Sequence, residues 1–396
     1  MDLESIDKEY VLHSYAREYV AFERGDGAKL YSKDNKEYID FASGIGVCSV
    51  GHGNKRLASA ICEQAQNLLH VSNLWVIEPQ ALLAKRLVEL SGYDMRVFFA
   101  NSGAEANEGA LKIARKYGQI NFENKKYKII TLEHSFHGRT ITTVKATGQN
   151  KMHTPNFSPY PDGFKHVETI DDIYKSIDKD TVAVMIELVQ GEGGVEPFNK
   201  DEIKALAKFL KAEGLLLIVD EVQTGVYRSG EFLASNYYGI EPDIITLAKG
   251  LGGGLPIGAV MTNLKDIFEP GDHGSTFGGN FLSTRGALCV LDILEEEYKK
   301  ESIKRRVELF DNELNNIVKS MPEFFEKSVG LGLMRGLRAK NSNIQSQIIK
   351  KAFEEGLILL KAGRNTVRFL PPLTISEDEI IEGFKRLEIA LGEILF

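Results

Sequence analysis

The chain has 396 residues, of which 43% are hydrophobic and 26% charged. Those are the proportions of an ordinary globular protein, not of a disordered, collagenous or disulfide-scaffold chain. Its 48 Lys and Arg stand against 56 Asp and Glu, a net charge of −8, which lacks the basic footprint of a nucleic-acid binder.

The elements follow in chain order. Residues 1–10 show no basic-then-apolar leader, so no signal peptide is expected. Ala28–Phe41, "AKLYSKDNKEYIDF", reads as a hairpin with its turn at Lys33–Asn35. Short apolar runs then recur at Arg96–Ala100, Tyr127–Leu132, Val182–Val189, Leu215–Val219, Ile244–Ala248 and Ile257–Met261. Such runs suit strands buried on both faces of a mostly parallel sheet. Amphipathic helices are predicted between them at Ala104–Tyr117 and Lys200–Ala212, which makes the middle of the chain α/β. From about Leu291 the texture changes. A charged helix is predicted over Leu294–Ile317, then an apolar stretch at Leu331–Leu337. A helix at Ile344–Glu355, a strand at Thr366–Leu370 and a last helix at Asp378–Leu391 complete a smaller α+β part. No apolar run reaches the length of a membrane span. Cys48, Cys62 and Cys289 form no CxxC pair, so neither a disulfide framework nor a zinc site is expected. A cytoplasmic setting is the simpler reading.

Candidate chemistry gathers at the ends of the apolar runs. Asp220 ends "LLLIVD" and Lys249 ends "IITLAK". Ligands of an open parallel sheet lie beyond the carboxyl ends of its strands. A lysine buried there has a lowered pKa that favours Schiff-base chemistry, though a lysine capped by a surface loop reads the same way. In "NSGAEANE", Ser102 and Glu105 form a capping-box pattern. Gly103 and Ala104 leave the helix N-terminus open to a phosphate, and cap and phosphate compete for the same N–H groups. In "HSFHGRT", Phe136 suits stacking on a planar ring, or core packing, and Arg139 suits a carboxylate or a surface salt bridge. His134 and His137 lack further ligands at metal spacing, so no metal is expected. Glu187 lies inside an apolar run and calls for a cation; Arg368 in "VRFLPPL" is a candidate partner. Ser275 and Thr276 in "HGSTFGGN" suit a phosphate or a turn. "GIGVCS" is GxGxxS and no P-loop or GxSxG elbow occurs, so those sites are not indicated.

Together these residues supply an amine, a ring-nitrogen partner, a stacking aromatic and a phosphate cradle. The ordered motifs "SGAEANE", "HSFHGRT", "VDEVQTG", "LAKGLGGGLPIGA" and "GSTFGGN" resemble the class III aminotransferases, pyridoxal-phosphate (PLP) enzymes of fold type I. The likeness runs from "HSYAREYVAFERGDGAKLY" to "VRFLPPLTI". It implies an α/β fold with a mostly parallel central sheet flanked by helices and a smaller α+β domain. It also implies a division into an N-terminal segment, 1–60, associated with the small domain; a large PLP-binding domain, 61–292; and a C-terminal small domain, 293–396. By resemblance Lys249 is the Schiff-base lysine. Asp220 pairs with the ring nitrogen and Gln223 lies near the ring's phenolic oxygen. Ser102, Gly103 and Ala104 hold the phosphate, Phe136 stacks on the ring, and Thr276 reaches the phosphate of a second subunit. That last role implies a homodimer with shared active sites.

Within the family, "SGIGVCSVGH", "SNLWVIEPQALLAKRLVELS" and "ATGQNKMHTPNFSPYPDGF" resemble the acetylornithine branch. Its implied reaction moves an amine from N2-acetyl-L-ornithine to 2-oxoglutarate, in arginine biosynthesis. Arg139 and Ser275 are then substrate contacts, and Glu187 and Arg368 a switchable pair that opens for the dicarboxylate. N-Succinyl-diaminopimelate, ornithine or 4-aminobutyrate aminotransferases and aminomutases are the alternatives. Ile45 stands where the ornithine branch carries an aromatic. The family's usual prolines are replaced by Leu188 and Phe281.

Overall fold

The computed structural model describes residues 2–394. At its centre is a seven-stranded sheet. Across the sheet the strands run Arg96–Ala100, Gly258–Thr262, Ile244–Leu247, Leu216–Asp220, Thr181–Ile186, Lys128–Leu132 and Phe164–Val167. Gly258–Thr262 is antiparallel to both its neighbours, and the other pairings are parallel. Period-2 alternation sends the side chains of each run to opposite faces. Ile129, Met185 and Ile218 meet Ala106, Ala110 and Ile113 of helix Gly103–Asn121 on one face. Ile130, Val184 and Val219 meet Ile203, Leu206 and Leu210 of helix Lys200–Ala212 on the other. Each such fully buried aliphatic side chain stabilises the fold by about 1.5–3 kcal/mol. That is why the runs contain so little polar residue before their last positions.

Phe164–Val167, "FKHV", is an edge strand too short and polar to show as an apolar run. The predicted 294–317 helix is two helices, Phe281–Lys299 and Ser302–Ser320. The chain breaks at Glu301, which has φ +56°, and the first helix runs straight through residue 292. Phe281 occupies the first helical position, behind Asn280, whose side chain accepts from the Ser283 N–H. A proline suits that position, but the phenylalanine keeps the helix. The stretch 331–337 is no single element. It spans the turn between antiparallel strands Phe325–Leu331 and Met334–Ala339, because Gly332 takes φ +60°.

Those strands form a four-stranded antiparallel sheet with Thr366–Phe369 and Leu360–Ala362. The N-terminal hairpin pairs Lys29–Ser32 with Glu37–Asp40, and the latter pairs in parallel with Leu357–Ile358. Phe41, Phe310, Phe369 and Phe384 cluster behind this pairing, with Phe310 and Phe384 centroids 4.8 Å apart. Among the described residues, no helix is long and apolar enough to cross a membrane.

Candidate active site

Five strands deliver functional side chains to one edge of the central sheet. The carboxyl ends of Leu216–Asp220, Ile244–Leu247, Thr181–Ile186, Lys128–Leu132 and Arg96–Ala100 lead directly into Asp220, Lys249, Glu187, Phe136 and Ser102. These residues, with Gly103, Ala104, Arg139 and Gln223, line a cavity of about 400 Å³, a size that suits a small-molecule ligand.

Asp220 is buried and heavily furnished with donors. Its Oδ2 lies 2.8 Å from His137 Nδ1 and accepts from Asn107 Nδ2 at 2.8 Å. Its Oδ1 accepts from the Val222 N–H at 3.0 Å and from Thr246 Oγ1 at 3.4 Å. Asn107 also donates to the His137 carbonyl at 2.7 Å. The carboxylate is thus held in one orientation by three separate segments of chain.

Lys249 opens a short 3₁₀ turn, Lys249–Leu251, with φ +41°. A non-glycine residue held there stores strain of about 1–3 kcal/mol, and the turn aims the side chain into the cavity. Burial of the amine pulls its pKa below the ordinary lysine value. A neutral amine is therefore more accessible here than at the surface.

At the start of helix Gly103–Asn121, Ser102 Oγ accepts from the Glu105 N–H at 3.2 Å. Glu105 does not close a reciprocal box on Ser102. It reaches the Asn101 N–H at 2.8 Å instead. The cap thus occupies one N–H and leaves those of Gly103 and Ala104 facing the cavity, so cap and anion site coexist. A Cβ on Gly103 would stand 2.7 Å from Val222, so only glycine lets the helix end sit this close to the Asp220 loop. Phe136 borders the same cavity, with the Arg139 guanidinium 5.9 Å from its ring centre.

The expected Glu187–Arg368 pair is not formed. Arg368 Nη1 contacts Glu192 Oε1 at 2.6 Å and donates to Gln223 Oε1 at 3.2 Å. Glu187 instead accepts from the Phe136 N–H at 2.9 Å. The reason is positional. Glu187 follows the sheet strand directly and stays under it, whereas Glu192 lies on the glycine-rich loop that meets the C-terminal sheet. Gly191 lets that loop close on Gln223, whose side chain a Cβ would strike at 2.4 Å.

Ser275 and Thr276 do not line this cavity. Ser275 Oγ accepts from the Gly278 N–H at 2.9 Å and from Asn101 Nδ2 at 3.1 Å, and Thr276 is exposed. Three residues to which the sequence pattern assigns no such role prove central: His137, Asn107 and Glu192. Asn107 sits four residues after Gly103, one helical turn on and on the same face, and that spacing was the available signal. Among the described residues no metal-holding cluster occurs.

The chain matches the family described as Aminotransferase class-III over residues 10–391, and it belongs to that family. It is 64% identical over 392 residues, 99% of this chain and 100% of the other, to the acetylornithine aminotransferase of Wolinella succinogenes. The crystal structure of N-acetylornithine aminotransferase from Stenotrophomonas maltophilia K279a superimposes with a TM-score of 0.83 at 32% identity, covering 99% of both chains. An ornithine aminotransferase of Toxoplasma gondii, reported with partial occupancy of PLP at its active site, gives 0.91 at 30% identity over 98% of this chain and 93% of that one. The architecture is accordingly that of the fold type I PLP-dependent transferases.

Proposed function

We propose that the chain transfers the free amine of N2-acetyl-L-ornithine to 2-oxoglutarate, giving N-acetyl-L-glutamate 5-semialdehyde and L-glutamate, with pyridoxal 5′-phosphate as cofactor. The observation that carries this reading is the full-length 64% identity to the Wolinella succinogenes acetylornithine aminotransferase. The donor set of the cavity fits the cofactor: one enclosed amine, one oriented carboxylate, an aromatic face and an open helix N-terminus. When bound, PLP supplies the electron sink for the charge left on the substrate carbon.

The chain's own residues would act around it. Asp220, held by His137 and Asn107, would keep a proton on the ring nitrogen. Lys249, its proton affinity lowered by burial, would take a proton from the substrate carbon and return it. Ser102 and the N–H groups of Gly103 and Ala104 would hold the phosphate, Phe136 would cover one ring face, and Gln223 would meet the ring oxygen. Arg139 would bind the substrate's α-carboxylate. Arg368 would meet the second carboxylate of 2-oxoglutarate once Glu192 swings away.

Ser275 and Thr276 would serve the cavity of a second copy in a homodimer. Two observations support this. Asn73 Nδ2 donates to the carbonyls of Ser275 and Gly278, each at 2.9 Å, tying two loops together. Those loops expose Leu74 (88%), Trp75 (70%), Val76 (89%) and Phe277 (60%), an apolar surface of the kind that marks an interface. A cytoplasmic setting completes the reading. The test is the visible spectrum of the PLP-loaded protein. Adding N-acetylornithine alone should bleach the cofactor band and adding 2-oxoglutarate should restore it. A band unmoved by N-acetylornithine would reject this donor.

A further inference from the structure

Two carboxyl groups share the cavity, and they are unequally furnished. Asp220 draws four donors. Glu187, only 4% exposed, draws one, the Phe136 N–H at 2.9 Å to Oε2. Among the described residues no cation is ion-paired with it. The charges that face it are His137 from the loop after Lys128–Leu132, Asp220 from the neighbouring strand and Lys249 from its turn. A buried carboxylate with one donor and a like charge nearby is costly, and it relieves that cost by taking a proton. Burial and Asp220 push the Glu187 carboxyl well up from the ordinary carboxylate range, against the pull of His137 and Lys249.

We propose that Glu187 carries the proton of this carboxyl pair, and that its neutral form is what admits a dicarboxylate acceptor to the cavity. The substrate half of this proposal rests on the transamination reading above. A dicarboxylate brings two negative charges to a cavity already lined by Asp220, with Glu192 on the loop beside it. The cations within reach are Arg139, the Arg368 already paired with Glu192, and Lys249, whose proton affinity burial lowers. A proton on Glu187 removes one repelling charge and turns an acceptor oxygen into an O–H donor. Acceptor binding and Glu187 protonation are therefore linked, and binding above neutral pH draws a proton from solvent. Because the Glu187 carboxyl is pushed up, its neutral fraction falls steadily as the pH is raised. The KM for the oxo-dicarboxylate should then rise with pH, towards about tenfold per pH unit where Glu187 is mostly ionised, and Glu187→Gln, a neutral isostere, should flatten the rise.

The direct experiment is calorimetry on the PLP-loaded enzyme with glutarate, a dicarboxylate with no carbonyl to react, in two buffers of different ionisation enthalpy at pH 7.5. The wild type should take up a measurable fraction of a proton more than Glu187→Gln. Equal uptake overturns the linkage. Thermal unfolding of the cofactor-free proteins is a second readout, independent of substrate. A carboxyl whose folded pKa is raised contributes stability that is present at low pH and lost as pH rises towards the folded value. The wild type should therefore lose more stability than Glu187→Gln between pH 5 and pH 8, and parallel curves overturn the protonation of Glu187. Diverging curves without glutarate binding to either protein keep the proton on Glu187 but reject the dicarboxylate acceptor. If the variant does not fold, the wild type alone decides. Proton uptake rising from pH 6 to pH 8 supports the linkage and a flat profile overturns it.

Discussion

The cavity edge of the central sheet and the C-terminal antiparallel sheet both bury charge, and they treat it in opposite ways. On the C-terminal sheet each buried cation is cancelled where it stands. Arg335 Nη2 lies 2.6 Å from Asp311 Oδ1, and Arg338 Nη2 lies 2.6 Å from Glu196 Oε2. At the cavity edge Asp220 is held by neutral or imidazole donors, Glu187 by a single N–H, and Lys249 makes no ion pair among the described residues. A cancelled charge is committed to the fold. A charge held in place but left uncancelled is free to act on a ligand, and that is how polar groups are prepared for chemistry. Arg368 belongs to both regions. It rises from the C-terminal sheet, yet its partner Glu192 lies on the loop beside the cavity.

The contrast is broken most severely at Lys249. Lys249→Ala removes the group proposed to move the proton and should lower transamination by about 10⁴-fold or more, measured as product formed per active site. Retained turnover would sink the mechanism. His137→Phe tests whether Asp220 depends on being held. A hydrogen bond to a charged group contributes about 1.5–3 kcal/mol, so kcat/KM and cofactor affinity should each fall by about 10- to 100-fold. Equilibrium dialysis of PLP separates this from a folding defect. Arg335→Met makes the converse statement on the other sheet. Breaking a partly buried pair, with Asp311 still a third exposed, should cost about 2 kcal/mol of stability while kcat stays within about twofold. A large loss of kcat would mean that the C-terminal sheet is not passive.

The same contrast explains what the sequence made visible. Asp220 and Lys249 are legible because each interrupts a long apolar run at its carboxyl end, where a strand's burial stops. The two sheet faces are legible because period-2 burial needs few polar residues. The pairing of Arg368 is not. Glu187 and Glu192 stand five residues apart, and the pattern alone favours the one inside the apolar run as the partner of a cation. Its neighbours in space, Phe136 and His137, come from a segment about fifty residues earlier, and only the folded sheet brings them together. Asn107 and His137 escaped for a similar reason, since their common target lies 113 and 83 residues away in the chain. Strand Phe164–Val167 escaped because an edge strand needs only one buried face.

A finer test lies where the two regimes meet. Asp40 ends the N-terminal hairpin. Its Oδ1 accepts from the N–H groups of Ala42 and Ser43, both at 2.8 Å, and its Oδ2 pairs with His52 Nε2 at 2.7 Å. These bonds anchor the turn that carries Val47 into the cavity wall. The pair is cancelled in the manner of the C-terminal sheet, although it stands beside the site. The Asp40 hydrogen bond is the main cause that raises the His52 imidazole to about 9. A histidine whose folded pKa is raised contributes stability that is complete below about 6.5 and lost as pH climbs through about 9. Wild type should thus lose about 3 kcal/mol more than His52→Gln between pH 6.5 and pH 10, measured by denaturant unfolding at each pH. Cofactor affinity should change little over the lower part of that range, because the imidazolium anchors the turn and does not face the ligand. A pH-dependent loss of PLP binding that disappears in His52→Gln would place His52 with the uncancelled charges of the cavity.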